Sequence, residues 1–280
     1  MKYSLHNYAQ SELEYKEFLK PSIEEAIQKL NIKNNFQILD AGCGPGATIH
    51  PLLKATNFTG HIHALDASRP HLDIAEELVQ KHHIESMVTL LQADLFKPLP
   101  FAENYFDVIW LSDVFFPDDT GNETEKIISN LKKILKPGGT LAIFYGNWLR
   151  LQLLPGYSEL EHAISIANEL RKSTEQKWTY ELHPENALQW LMKSRFQNCD
   201  VSFHNAVYKS PLDKSIKNYI AWHLKNIYDK AVHFKSNSFS FEKKLLALWE
   251  NISDENSADY ILNRENYYCA AFGLLTMGTK

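Results

Sequence analysis

Short apolar runs alternate along the first half of the chain with longer stretches whose apolar positions recur every three or four residues. The runs Phe36–Ala41, His61–Asp66, Val88–Ala93, Phe106–Leu111 and Thr140–Tyr145 predict strands. Between them, Ala47–Thr56, Pro70–His82 and Glu123–Leu135 predict amphipathic helices, and Leu13, Phe18, Ile23, Ile27 and Leu30 predict an earlier one over Ser11–Leu30. Strands alternating with helices build βαβ units, so the pattern predicts a doubly wound α/β domain with a mostly parallel sheet.

The second half is less regular and more aromatic. Pro184–Lys193 predicts a helix with proline in its first turn, Cys199–Tyr208 a strand that Pro211 stops, and Phe241–Glu250 a short helix. Over Ser215–Lys235, Ile216, Ile220, Leu224, Ile227 and Ala231 form one apolar helical face. The run Tyr267–Leu275 is apolar throughout and suits a strand buried on both faces.

Composition narrows the function classes. Of 280 residues, 44% are apolar and 22% charged, enough to build a core and too apolar for a disordered chain. Lys and Arg number 29 against 34 Asp and Glu, a net charge of −5, so no general basic field draws in nucleic acid or anionic lipid. Cys43, Cys199 and Cys269 are odd in number and far apart, which fits a reducing cytoplasm better than a disulfide framework or a metal pair. No apolar run approaches the roughly 20 residues of a membrane span, and no targeting segment is expected. His61 and His63 share a strand face without a third ligand at metal spacing, so no metal site is predicted.

The most informative segment is Ile38-Leu39-Asp40-Ala41-Gly42-Cys43-Gly44-Pro45-Gly46-Ala47, a buried strand entering a glycine-rich turn and then a helix. Its glycines let backbone approach a ligand that side chains would exclude. Taken alone, Gly42-x-Gly44-x-x-Ala47 also satisfies a dinucleotide fingerprint. Asp40 directly before the loop, Asp66 ending the second strand, Asp94 ending the third, Tyr105–Asp113 and Leu135-Lys136-Pro137-Gly138-Gly139 complete an ordered set. That set resembles class I S-adenosylmethionine-dependent methyltransferases of the small-molecule type.

The resemblance is strong over about residues 36–145 and implies a Rossmann-like, doubly wound sheet of seven mostly parallel strands. It also implies an antiparallel C-terminal strand; where the family often joins its last two strands by a short hairpin, some 50 residues intervene here, and they are expected to form an inserted helical cap. The expected organisation is an N-terminal helical or lid segment (1–35), a methyltransferase core (36–211), a helical insertion (212–264) and a final core strand (265–280). By the same resemblance, Gly42, Gly44 and Gly46 line the amino-acid end of S-adenosylmethionine and Asp40 sits near its ammonium. Asp66 holds the ribose, Asp94 with Leu95 contacts adenine, and Ser112 and Asp113 lie beside the methyl group, with Ala67 a further cofactor-binding candidate; S-adenosylhomocysteine is the product.

Methyl transfer needs positioning more than a dedicated base. His183, His204 and His223 are the candidates for one, and Asp113, at the end of the fourth strand, and His223 are the candidate catalytic residues. The stretch His6–Gln10 is expected to precede the first helix, with Tyr8 as a lid residue. Tyr219 and Trp222 are expected to roof an acceptor pocket, although the aromatics of the 212–264 insertion suit a core or a homodimer interface equally. The leading reading is methylation of a small organic acceptor with an apolar or aromatic portion. RNA or protein methylation, a non-catalytic cofactor-binding regulator and a nicotinamide oxidoreductase are the alternatives.

Overall fold

A computed structural model describes residues 5–115, 123–147, 150–175, 183–236 and 239–280, without the side chains of 5–8 and 172–175. The chain divides into two compact units, residues 1–146, 178–204 and 273–280 forming the first and residues 147–177 and 205–272 the second.

The first unit is built on the sheet. Strands β1 (Gln37–Ala41), β2 (His61–Asp66), β3 (Val88–Gln92), β4 (Phe106–Ser112), β5 (Leu135–Gly146), β6 (Gln197–Lys209) and β7 (Tyr268–Thr279) assemble in the order β3-β2-β1-β4-β5-β7-β6. The pairs from β3 through β5 are parallel, and β7 runs antiparallel to β5 with Gly146 opposite Gly273 and Thr140 opposite Thr279. The doubly wound sheet of seven strands with an antiparallel last strand is therefore present as the sequence suggests. Strand β1 carries Ile38 and Leu39 with no exposed surface, the continuous burial expected of a parallel strand covered on both faces.

Helices α1 (Leu5–Lys29), α2 (Ile49–Ala55), α3 (Arg69–Lys81), α4 (Thr124–Ile134) and α5 (Ser158–Glu175) follow the same logic of one apolar face. The Ser68 side chain caps α3 by accepting from the His71 amide at 3.4 Å, Pro70 occupies the first turn, and Leu72, Ala75 and Val79 are buried. Helix α1 begins at Leu5, so His6–Gln10 lies within the helix, not before it. No glycine or proline interrupts the chain until Pro21, and nothing local stops the helix earlier. Strand order reverses between β1 and β4, whose registers pair Asp40 with Ala64 on one side and with Trp110 on the other. This is the crevice where open α/β sheets accept ligands.

The second unit is helical. It contains α5, α7 (Lys214–His223), a π-helical turn at Leu224–Tyr228, α8 (Asp229–Val232) and α9 (Lys243–Ser253); the short helix α6 (Ala187–Lys193) belongs to the first unit. The face read over Ser215–Lys235 is thus a helix interrupted by one widened turn. Helix α5 has no counterpart among the elements predicted above, although Leu160, Ile164 and Ala167 are buried at helical spacing.

Glu161 on α5 organises this unit. One of its carboxylate oxygens accepts from the amides of Leu153 and Leu154 and, at 3.0 Å, from the Tyr228 hydroxyl. Burial pushes its carboxyl above the usual range against those three donors. Glu161→Leu should cost about 2–4 kcal/mol because three donors lose their acceptor. Urea melts of the two proteins check this, and a loss under about 1 kcal/mol would leave Glu161 without the organising role.

Candidate functional site

The glycine loop joins β1 to α2 in a conformation other residues adopt poorly, with Gly42, Gly44 and Gly46 at φ of 75°, 52° and 86°. A Cβ on Gly42 would sit 2.7 Å from Val114 Cγ2, and one on Gly46 would sit 2.9 Å from Ala75 Cβ. The loop is also tied to the neighbouring strand, since the amides of Gly42 and Cys43 both donate to the Leu65 carbonyl at 2.9 Å.

Asp40 is completely buried directly before this loop, and Thr48 Oγ1 donates to its Oδ2 at 2.6 Å. Its other oxygen, Oδ1, is buried with no hydrogen-bond partner among the described residues. Burial pushes the Asp40 carboxyl up to about 7, despite the Thr48 bond and the Lys16 charge.

Asp66 ends β2 in the opposite electrostatic state. Its Oδ2 accepts from the Gly44 amide at 2.9 Å and its Oδ1 from the Ser68 amide at 2.8 Å, while His71 Nδ1 lies 3.6 Å from Oδ1. Burial alone would raise Asp66, but these donors outweigh it and hold the carboxyl below its usual range. The Asp66 contact in turn raises His71. Next along the edge, the Ala93 amide donates to the Asp66 carbonyl at 3.0 Å, which sets Asp94 and Leu95 beside it. Asp94 Oδ1 accepts from the Phe96 amide at 2.9 Å, and the Ala67 carbonyl accepts from Gln92 Nε2 at 3.0 Å.

At the end of β4, Ser112 and Asp113 meet a residue that sequence reasoning missed. Lys16 on α1 donates to Ser112 Oγ at 2.7 Å and forms an ion pair with the Asp113 carboxylate, and both charged side chains are over nine-tenths buried. Asp113 adopts φ of 56°, and its Oδ1 accepts from the Gly146 amide at 2.7 Å. Its carboxylate is thereby engaged as a counter-ion, which explains its burial without any role as a base. Glu12, one helical turn before Lys16, lies 3.6 Å from His71 and is raised by burial. Glu12, Lys16, Gly42, Gly44, Thr48 and Ser112 line a small cavity of about 10 Å³.

The structure therefore brings Asp40, Gly42, Gly44, Gly46, Asp66, Ala67, Asp94, Leu95, Ser112 and Asp113 onto one edge of the first unit's sheet. Of the remaining candidates, His223, Tyr219 and Trp222 belong to the second unit. His223 is buried in the second unit beside Tyr219, Trp222 and Tyr228, with neither ring nitrogen hydrogen-bonded among the described residues. Burial holds its imidazole down at about 3, which makes it a poor proton acceptor near neutral pH. Tyr219 packs in the same core, whereas Trp222 is 38% exposed. The Tyr8 side chain lies outside the described residues. Among the described residues no group of His, Cys, Asp or Glu could hold a metal ion, and no helix is long and apolar enough to cross a membrane.

Known proteins with similar sequences and folds share this architecture. The chain is 30% identical over 122 residues to the methyltransferase GfsG of Streptomyces halstedii, a match covering 43% of this chain and 41% of that protein. It therefore spans less than half the length of that relative. A ubiquinone/menaquinone biosynthesis C-methyltransferase of Yersinia enterocolitica is 25% identical over 64% of this chain and 70% of its own. Among solved structures, phosphoethanolamine N-methyltransferase 2 of Haemonchus contortus aligns with 99% of this chain and 58% of its own at a TM-score of 0.55 and 18% identity, a likeness of fold. The sequence matches the family described as a methyltransferase domain over residues 32–268, and with the ordered acids and glycine loop on one sheet edge the chain belongs to the S-adenosylmethionine-dependent methyltransferases.

Proposed function

We propose that this protein transfers the methyl group of S-adenosylmethionine to a small organic acceptor with an apolar or aromatic portion. The observation that carries the cofactor half is the pairing of a positive-φ glycine loop with two acids of opposite character, the buried Asp40 and the ionised Asp66. The residues suit the cofactor chemically. Asp40 Oδ1, buried without a donor, calls for a cationic or hydrogen-bonding group such as an α-ammonium. Asp66 retains acceptor capacity for ribose hydroxyls, because a carboxylate accepts about four bonds. When bound, S-adenosylmethionine supplies a sulfonium methyl that an acceptor lone pair displaces in line.

The protein's own contribution is then to hold and to shield. The glycine loop borders the amino-acid end of the cofactor, Asp66 holds the ribose, Asp94 and Leu95 border the adenine side, and Ser112 at the β4 end lies beside the methyl group. Orientation of this kind accounts for most of what such a displacement requires. A proton lost by the acceptor needs no dedicated residue here. The relatives support the acceptor class, since sterol and quinone methyltransferases stand among them. A location in the cytoplasm accords with the free cysteines Cys43, Cys199 and Cys269.

Calorimetric titration with S-adenosylmethionine, S-adenosylhomocysteine and NAD tests the cofactor half directly. Binding of NAD alone would overturn it. Asp66→Ala should weaken S-adenosylhomocysteine by about 1.5–3 kcal/mol, the worth of hydrogen bonds to a charged group. An unchanged dissociation constant in a folded variant would remove Asp66 from the site. Mass-spectrometric detection of a methyl gain across a panel of quinol, phenol and isoprenoid acceptors tests the second half.

A further inference from the structure

We infer that Lys16, on the N-terminal helix, recognises the α-carboxylate of the cofactor's amino-acid end, an inference that rests on the cofactor reading above. The acids around the glycine loop are Asp40, Asp66, Asp113 and Glu12; Lys16 acts electrostatically on Asp40 and Glu12 and is ion-paired with Asp113. An α-ammonium is welcome among them, but an α-carboxylate would meet repulsion from every side. Its binding requires a cation within the same pocket. Among the described residues lining the cavity beside Gly42 and Gly44, Lys16 is the one cation.

The geometry makes that cation available. The Lys16 ammonium reaches Ser112 and Asp113 at the end of β4, held there by an α1 backbone whose Phe18 and Leu19 are fully buried. An ammonium carries three donors, so bonds to Ser112 and Asp113 leave one. The stem has four methylenes, and a change of rotamer moves the head by ångströms while the helix stays docked. The Lys16 side chain lines the cavity beside Gly42 and Gly44, where the cofactor's amino-acid end would enter. Asp40 would then face the cofactor's α-ammonium, and Lys16, still paired with Asp113, its α-carboxylate.

The test uses two ligands that share the adenosyl part. S-adenosylhomocysteine carries the amino-acid end, whereas 5′-methylthioadenosine lacks it. For Lys16→Met, the dissociation constant of S-adenosylhomocysteine measured by calorimetry should rise roughly 10- to 100-fold, the effect of one charge-assisted bond. That of 5′-methylthioadenosine should change less than about threefold. Lys16→Arg, which keeps the cation, should stay within about tenfold of wild type for both ligands. Because Lys16→Met also strips Asp113 of its partner, Lys16→Met/Asp113→Asn supplies a second, better-folding background in which the same ligand difference is expected. An unchanged or tightened S-adenosylhomocysteine constant in a folded variant would overturn the assignment and leave Lys16 a plug. Equal loss for both ligands would assign it to packing and overturn it as well. Failure of wild type to bind either ligand is a different result, because it would sink the cofactor reading itself.

Discussion

Gly46→Val is expected to cost about 3–5 kcal/mol of stability and to abolish cofactor binding, the larger share coming from packing and the rest from backbone strain. The residue sits at φ of 86°, where a β-branched side chain is strained. A Cβ there would also meet Ala75 Cβ at 2.9 Å, the Ala75 backbone at 3.1 Å and Ile49 Cδ1 at 3.1 Å. Neither neighbour can retreat easily, because Ala75 belongs to the buried face of α3 and Ile49 opens α2. Gly138→Val separates the two contributions. Gly138 has φ of 77°, but its Cβ would meet nothing within 4 Å, so that variant should lose only about 1–2 kcal/mol. Urea denaturation of both proteins measures the difference. Equal losses would mean that the close approach of the loop to α3 does not constrain this position.

Asp40→Asn should change how stability depends on pH by roughly 4 kcal/mol between about pH 4 and pH 8. In the folded protein burial holds the carboxyl protonated up to about 7, whereas in the unfolded chain it ionises near its ordinary 3.8. Between those values the native state binds more protons than the unfolded one. Stability contributed by Asp40 is therefore complete below the lower value, falls as pH rises through the window, and levels off above the upper one. Asn cannot ionise, and its side-chain oxygen can still accept from Thr48, so the variant should lack this decline. Unfolding free energies of the two proteins at several pH values test it, since all other titrating groups are common to both. Parallel curves would show that the carboxyl is solvated or paired well enough to ionise normally.

Much of the cofactor side was legible because its signals are local. The strand Ile38–Ala41, the three loop glycines and the acids at the ends of β2 and β3 are read from consecutive residues and from regular spacing, and the structure places them on one edge. The proton economy was not legible. Asp40 and Asp66 are the same residue type at the same kind of strand end, yet one is raised by burial and the other is lowered by the Gly44 and Ser68 amides and His71. Nothing in the order of residues distinguishes an aspartate facing protein interior from one facing backbone donors. The second unit shows the same limit from the other side. Its helical face over Ser215–Lys235 was readable, but the sharing of Glu161 by two loop amides and Tyr228, 67 residues away, was not.

The sequence by itself therefore determined the α/β architecture, the glycine loop and the identity of the acids around it. Periodicity and turn chemistry act between near neighbours, and near neighbours are what a sequence records. Tertiary structure alone decided which charges meet. Lys16 and Asp113 stand 97 residues apart, on a helix and at a strand end that share no local pattern. They pair because docking α1 on the sheet buries both, and two buried charges of opposite sign are tolerable only together. His223 was decided in the same way. A histidine among aromatics at helical spacing could serve a pocket or a core, and complete burial without a hydrogen-bond partner placed it in the core.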